Sequence, residues 1–314
     1  MPEPIQNKTA IVTGAGSGIC LAFARLLLSE GVNVIFADLS LRPEAQMLVE
    51  SFTLGKPRAL FQETDVRDWT QLSSLFDTAL REFGDVDIVC PGAGIYEPDF
   101  SNFWIPPGTL GSRDATDAGR YALLDINLSH PIRMTQLAIA HFTKNKSLQA
   151  GRKSVILISS TAGQKTPFTA PMYAAAKHAI NGFVRCLAPL ESKVGIRVSA
   201  VAPGVVRTPL WTEDASKSIA VEEGKDAWVE PEDVARVMLG LIVEDDLQNN
   251  EDPERVTTQG GSIIEVTVGN IRNVKAFNDS GPDGRPGSTV SNMSLLEDRV
   301  WDLLGIQSED PRGN

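Results

Sequence analysis

Short runs of apolar, β-branched residues alternate along this chain with longer segments of helical period, and no other feature limits the fold as much. The runs fall at 9–12, 32–37, 59–61, 86–90, 154–159, 196–201 and 262–268. Helical spacing fills 18–30, 69–83, 116–144, 172–194 and 231–243. Strands that are apolar at every position, rather than at every second one, are covered on both faces. A parallel sheet with crossover helices on each side meets that demand. Seven such runs predict one doubly wound α/β domain with a seven-stranded parallel sheet over residues 1–270. Two segments break the rhythm. Residues 97–119, rich in Pro, Gly, Asp and aromatics, read as a long inserted loop of the kind that often serves as a lid. Residues 271–314 read as a C-terminal extension that begins turn-rich. It then places Met293, Leu296, Val300 and Leu303/Leu304 at the spacing of a short helix. That stripe needs a surface to cover, over a site mouth or on another subunit.

Composition removes several function classes. With 29 Lys and Arg against 40 Asp and Glu, the net charge of −11 argues against a phosphate-backbone partner. No run approaches 18 apolar residues, so no membrane span is expected, and the first ten residues lack the basic and apolar blocks of a secretory signal. Cys20, Cys90 and Cys186 lie far apart without metal-ligand spacing. The expectation is a reduced, cytoplasmic protein with no disulfide framework and no metal.

The first strand runs into Thr13-Gly14-Ala15-Gly16-Ser17-Gly18-Ile19, and a helical pattern follows. Glycines there permit a tight turn and close backbone approach to a pyrophosphate, and the helix N-terminus offers unpaired N–H groups. Asp38 closes the second strand, 24 residues past Gly14, with Leu39 beside it. A carboxylate at that place hydrogen-bonds the adenosine ribose and repels a 2′-phosphate, which selects NAD over NADP. Arg42 is a weak signal in the opposite direction.

Tyr173-Ala-Ala-Ala-Lys177 opens a strong helical segment, so the phenol and the ammonium share one face. Moving a tyrosine pKa from ~10 to near 7 requires about 4 kcal/mol. One ammonium near 4 Å supplies about that much at an effective dielectric of 20, and a positively charged nicotinamide would add to it. Such a tyrosine can take the proton of an alcohol or return one to a ketone. Ser160, thirteen residues upstream, follows the end of a strand, where α/β sheets bind ligands. The adjacent Ser159 reads as a turn or cap residue.

Taken together, Thr13 to Ile19, Asp65-Val66, Asn127, Ser160, Tyr173-x-x-x-Lys177 and Pro203-Gly204-x-x-x-Thr208 resemble the short-chain dehydrogenase/reductase superfamily in order and spacing, over about residues 5–270. Within it, 185–191 and 195–211 are similar to fungal members related to NAD-dependent 15-hydroxyprostaglandin dehydrogenases. The resemblance implies a Rossmann-type fold, an NAD cofactor, a small-molecule substrate and a homo-oligomer, dimer or tetramer. It implies Tyr173 as general acid/base, Lys177 as its modulator and ribose ligand, and Ser160 as orienter of the substrate oxygen. Asn127 would hold a water that links Lys177 to solvent. Gly14, Ser17, Gly18, Ile19, Asp38, Leu39, Asp65, Val66, Ala93, Gly94, Pro203, Gly204, Val206 and Thr208 would line the cofactor.

Three departures stand out. Cys20 replaces the last glycine of the family's phosphate turn. Pro91-Gly92 replaces an Asn-Asn pair whose amides tie the central strand to its neighbours, which puts the rigidity of that turn in doubt. Ser199 replaces an Asn. His130, His141 and His178 read as helix-surface or core-edge residues, and Phe100, Phe103 and Trp104 as one wall of an apolar pocket or as an oligomer contact. The leading expectation is an NAD(H)-dependent oxidoreductase that interconverts a secondary alcohol and a ketone on an apolar, specialised-metabolite substrate. The alternatives are an NADPH-dependent ketoreductase and a non-catalytic NAD-binding sensor or scaffold.

Overall fold

The computed structural model describes residues 5–144, 151–213, 222, 225–248, 256–276 and 293–306, the side chains of 293 and 294 excepted. Its frame is one sheet. The strands are β1 (Thr9–Thr13), β2 (Asn33–Asp38), β3 (Ala59–Glu63), β4 (Ile88–Pro91), β5 (Lys153–Ile158), β6 (Ile196–Pro203), β9 (Ile263–Thr267) and β10 (Asn270–Asn273). They lie in the order β10-β9-β6-β5-β4-β1-β2-β3. The first seven are mutually parallel, as their apolar runs require, and β10 folds back antiparallel on β9. The sheet is therefore eight-stranded rather than seven-stranded. The two residues between β9 and β10 include Gly269 at φ +73°, a left-handed conformation that closes the hairpin. A separate two-stranded ribbon pairs β7 (Asp246–Leu247) with β8 (Val256–Thr257).

The chain leaves β1 outward through β2 and β3, then returns to build β4 on the other side of β1. Strand order reverses there, and the crevice at the carboxyl ends is where such sheets bind ligands. Side chains alternate between two cores. Ala10, Val12, Val34 and Phe36 face α1 (Gly18–Ser29) and α9 (Pro231–Val243). Ile11, Ile35 and Val89 face α3 (Trp69–Phe83), α5 (His130–Lys144) and α6 (Pro171–Cys186). Each such buried Val, Ile or Phe side chain contributes about 1.5–3 kcal/mol of transfer free energy.

Helix boundaries follow local chemistry. In α3 the Asp68 carboxylate accepts the N–H groups of Thr70 and Gln71, and Gly84 stops the helix at φ +90°. A second helix, α2 (Pro43–Ser51), was not signalled by periodicity because it buries only Ala45 and Val49. The single segment expected over 172–194 divides at Pro189 into α6 and α7 (Pro189–Val194). The segment expected from 116 starts only at α4 (Ala122–Leu124), and a π turn, Asp125–Ser129, joins α4 to α5. Pro131 has no N–H to offer the Asn127 carbonyl four residues back, which favours the wider turn. A short helix α8 (Pro209–Thr212) follows β6, and α10 (Met293–Leu303) lies near the C-terminus. In α10 it is Trp301, with Leu304 after it, that packs on the second core, whereas Leu296, Val300 and Leu303 are exposed. No helix among the described residues is long and apolar enough to cross a membrane.

Candidate active site

A cleft of about 600 Å³ opens over the carboxyl ends of the strands, at the reversal between β1 and β4. One end is the turn from β1 into α1. Gly14, at φ +74°, lets the chain pass the Ala93 backbone, since a Cβ there would meet Ala93 Cα at 2.8 Å. Ser17 begins α1 without a side-chain cap, so the helix N–H groups face the cleft. Asp38 stands at the end of β2. Its Oδ2 accepts the Gly16 N–H (2.8 Å) and its Oδ1 accepts the Leu39 N–H (2.7 Å), which fixes the carboxylate beside the glycine turn. Arg42 points elsewhere, in a two-pronged pair with Glu213 past α8 (2.6 and 2.5 Å). Asp65 carries Arg67 on its carboxylate, which holds the acid below the usual range, and Val66 beside it is buried. Thr208 leans against Gly18: a Cβ on that glycine would meet Thr208 Cγ2 at 3.1 Å. Every cofactor residue expected from the sequence lines this one cleft. An elongated, phosphate-bearing dinucleotide fits its volume and its bare helix terminus.

The other end holds the proton-transfer candidates. Tyr173 and Lys177 lie one turn apart on α6, and Ser160, after β5, hydrogen-bonds Tyr173. The Ser160 hydroxyl also accepts the Ala162 N–H (3.1 Å), capping the short 3-10 turn Thr161–Gln164. Ser159 ties β5 to α6 through Asn181 (2.6 Å), a packing role. The ring of Tyr96 stands edge-on to Tyr173 at 4.7 Å and tilts against Trp211 at 4.9 Å, forming an aromatic wall. Burial dominates the electrostatics of both groups. Burial pushes the Tyr173 phenol up to about 12, with the Ser160 bond pulling the other way. Burial pushes Lys177 down to about 8, and its Nζ donates to the Ile158 carbonyl at 2.8 Å, 5.4 Å from the Tyr173 ring centre. In both groups loss of hydration is the largest cause, and it disfavours the charged form.

Asn127, in the π turn, is buried but does not line the cleft itself. Its amide accepts the Ile95 N–H (2.9 Å) and donates to the Ile95 carbonyl (2.7 Å), fixing the strand exit after Gly94.

Two of the departures from the family pattern, Cys20 and Gly92, fit each other. A Cβ at position 92 would collide with Cys20 Sγ, so Cys20 requires Gly92. The tie lost with the amides is rebuilt by His130, which is fully buried rather than a surface or core-edge residue. Its Nδ1 faces the Ile126 carbonyl (3.0 Å) and so must carry the proton. Nε2 then accepts the Thr13 hydroxyl (3.0 Å), and Thr13 Oγ1 accepts the Ala93 N–H (3.2 Å). Burial pushes His130 down to about 4, which keeps this arrangement neutral near pH 7. Its position in an apolar helix carried no visible sign of that role.

Of the three loop aromatics only Phe100 borders the cleft. Trp104 instead stacks on Phe168 at 4.5 Å and donates to its carbonyl (3.0 Å), with Phe103 at 5.0 Å, and all three of these rings are exposed. Arg113, Asp114 and Trp211 also line the cleft and were not singled out from sequence.

Comparison with known proteins agrees with this geometry. The family model for short chain dehydrogenases matches residues 8–218. The cis-4-hydroxycyclohexanecarboxylate dehydrogenase of Sinomonas cyclohexanicum is 31% identical over 244 residues, covering 77% of this chain and 91% of the relative. The 15-hydroxyprostaglandin dehydrogenase [NAD(+)] of Rattus norvegicus is 31% identical over 284 residues, covering 84% and 92%. The cyclohexanol dehydrogenase of Acinetobacter sp. (strain SE19) is 27% identical over 249 residues, covering 78% and 91%. With the glycine turn, the cleft and the Ser160, Tyr173 and Lys177 cluster in place, the chain belongs to the short-chain dehydrogenase/reductase superfamily and is an oxidoreductase of that family.

Proposed function

We propose that the protein oxidises a secondary alcohol on an apolar substrate to the ketone with NAD⁺, Tyr173 taking the hydroxyl proton. The observation that carries the reading is the joining of two groups of residues by one cleft: Asp38 and the glycine turn at one end, Ser160, Tyr173 and Lys177 at the other. A nicotinamide bound there supplies the hydride acceptor at its ring and a positive charge beside the phenol. Ser160 would hold the substrate oxygen against Tyr173. Lys177, protonated below about 8, would face the ribose hydroxyls and the phenol. The Asn127 carbonyl, left without its helical donor by Pro131, would hold a water on the proton path. Trp211 and Phe100, with Tyr96 packed against Trp211, give the mouth the apolar character expected for a cyclic or long-chain alcohol.

The preference for NAD rests on Asp38 beside the turn and on Arg42 being held by Glu213 rather than free for a 2′-phosphate. The names of the relatives support the class: one acts with NAD(+), and the named substrates are hydroxyl compounds. The test is fluorescence titration with NADH and NADPH, then turnover of cyclohexanol with NAD⁺. NADH should bind at least tenfold tighter, and Tyr173→Phe should keep that affinity while turnover falls about 10²–10⁴-fold. Preferred NADPH binding, or a Phe variant with its rate intact, would refute the reading.

A further inference from the structure

The loop over residues 97–119 reads as a lid in the sequence, yet two of its acidic side chains, Glu97 and Asp114, turn inward to the two helices that carry the proposed chemistry, while Asp99 and Asp117 stay exposed. Helix α6 begins at Ala170, which has no side chain able to cap it, followed by Pro171. The N–H of Tyr173 is thereby one of the donors that the first helical turn leaves unpaired. Glu97, 5% exposed and far away in sequence, supplies the acceptor: its Oε2 takes the Tyr173 N–H at 2.9 Å, and its Oε1 takes the Phe103 N–H at 3.1 Å. The Glu97 backbone sits at φ +35°, a left-handed conformation that an L residue adopts only when its surroundings hold it. Asn102 steadies the same turn by donating to the Glu97 carbonyl (2.9 Å).

The second helix repeats the device. Helix α4 leads into the π turn of Asn127 and begins after Tyr121, which provides no cap. Asp114 Oδ1 accepts the Ala122 N–H (2.8 Å), and Ser101 Oγ accepts the Leu123 N–H (3.0 Å) while donating to Asp114 Oδ2 (2.7 Å). Both starts are thus capped from one loop that also borders the cleft through Phe100 and Arg113.

We infer that Glu97 is a positioning residue which, with Asp114, couples the order of the 97–119 loop to the placement of Tyr173 against Asn127. Substrate that packs on the loop then steadies the phenol as well as its own binding pocket. The inference rests on the functional reading above for Tyr173, and the exchange arm of its test does not depend on turnover.

Hydrogen–deuterium exchange of the full-length protein reads the coupling directly. Glu97→Gln places an amide donor against one of two backbone donors. Exchange at 98–106 and at 171–177 should both quicken about fivefold or more. Asn102→Ala touches no residue of α6 yet should also quicken 171–177. Unchanged exchange there would overturn the coupling. A second pair separates coupling from simple capping. In Glu97→Ala with Ala170→Ser, a local hydroxyl can cap Tyr173 again. Protection of 171–177 should return while the KM for cyclohexanol stays raised and the NAD⁺ affinity stays near wild type. If KM recovers with protection, Glu97 is only a helix cap and the proposal falls. Because exchange requires no turnover, it decides the coupling even if the alcohol oxidation proposed above fails.

Discussion

Two lysines at opposite ends of one strand divide this molecule into its structural and its reactive half. Lys153 opens β5 and is fully buried, with Asp85 Oδ2 at 2.9 Å, Asp87 Oδ1 at 2.7 Å and the Val86 carbonyl at 3.2 Å. Lys177 reaches the far end of the same strand, also buried, and its bond there is to the neutral carbonyl of Ile158. At the amino end of the sheet the charges are matched: Asp85 also takes His141, Asp87 takes the Thr9 N–H, and the nearby Arg197 is held by Glu191 and Asp245. At the carboxyl end the ammonium faces a phenol and a cleft. A buried charge with two carboxylates holds strands together, whereas one with only a carbonyl keeps a titration close to neutrality.

The largest effect should separate these roles. Lys177→Met should lower kcat about 10³-fold while leaving the melting temperature equal or higher, since a poorly solvated charge has been removed. A variant that melts early with normal kcat would erase the distinction. Lys153→Met should do the reverse. It strands two carboxylates and should cost about 3 kcal/mol in denaturant midpoint analysis, with the activity per folded molecule retained.

Acid and base act on opposite ends. The hydrogen bonds to Lys153 and His141 outweigh burial and hold Asp85 at about 2, below its ordinary 3.8. Its contribution is present above pH 4 and is lost as pH falls from about 4 to 2. Lys177 is depressed from 10.5 to about 8, so the unfolded chain binds the extra proton between those values. Stability should therefore rise from pH 8 to 10.5, and that rise should vanish in Lys177→Met, as followed by urea titration across pH. A smaller effect concerns the departures near the cleft. Gly92→Asn alone should destabilise by about 2 kcal/mol through overpacking on Cys20. The same change in a Cys20→Gly background should be milder by about 1 kcal/mol, a coupling that a double-mutant cycle measures. Additive values would mean that the two departures are independent.

Much of the frame was legible because its cause is local. A strand buried on both faces must be apolar at every position, so all seven parallel strands announced themselves. Strand β10 did not, because Asn270–Asn273 sits at an edge and carries no apolar pattern. Helix α2 escaped for a similar reason, with only two buried positions. The glycine turn, Asp38, Ser160, Tyr173 and Lys177 were readable from residue type and spacing, since backbone conformation and helix period dictate where those groups stand. Glu97, Asp114 and His130 were not. Glu97 and His130 act on main-chain or hydroxyl groups far from them in sequence, and Asp114 on a helix start eight residues on; an acid in a polar loop looks the same whether it meets water or a helix terminus.

The sequence by itself determined the sheet, the order of its helices and the chemical groups available at the crevice, because hydrophobic period and glycine conformation are properties of short segments. Tertiary structure alone decided the protonation balance and the positioning. Burial raised Tyr173 to about 12 and lowered Lys177 to about 8, Glu97 found the Tyr173 N–H, and Cys20 found its glycine at 92. Hydration and contact distance depend on what packs around a group, and in this chain some of the deciding neighbours are distant, Glu97 lying 76 residues before Tyr173 and Thr13 80 residues before Ala93.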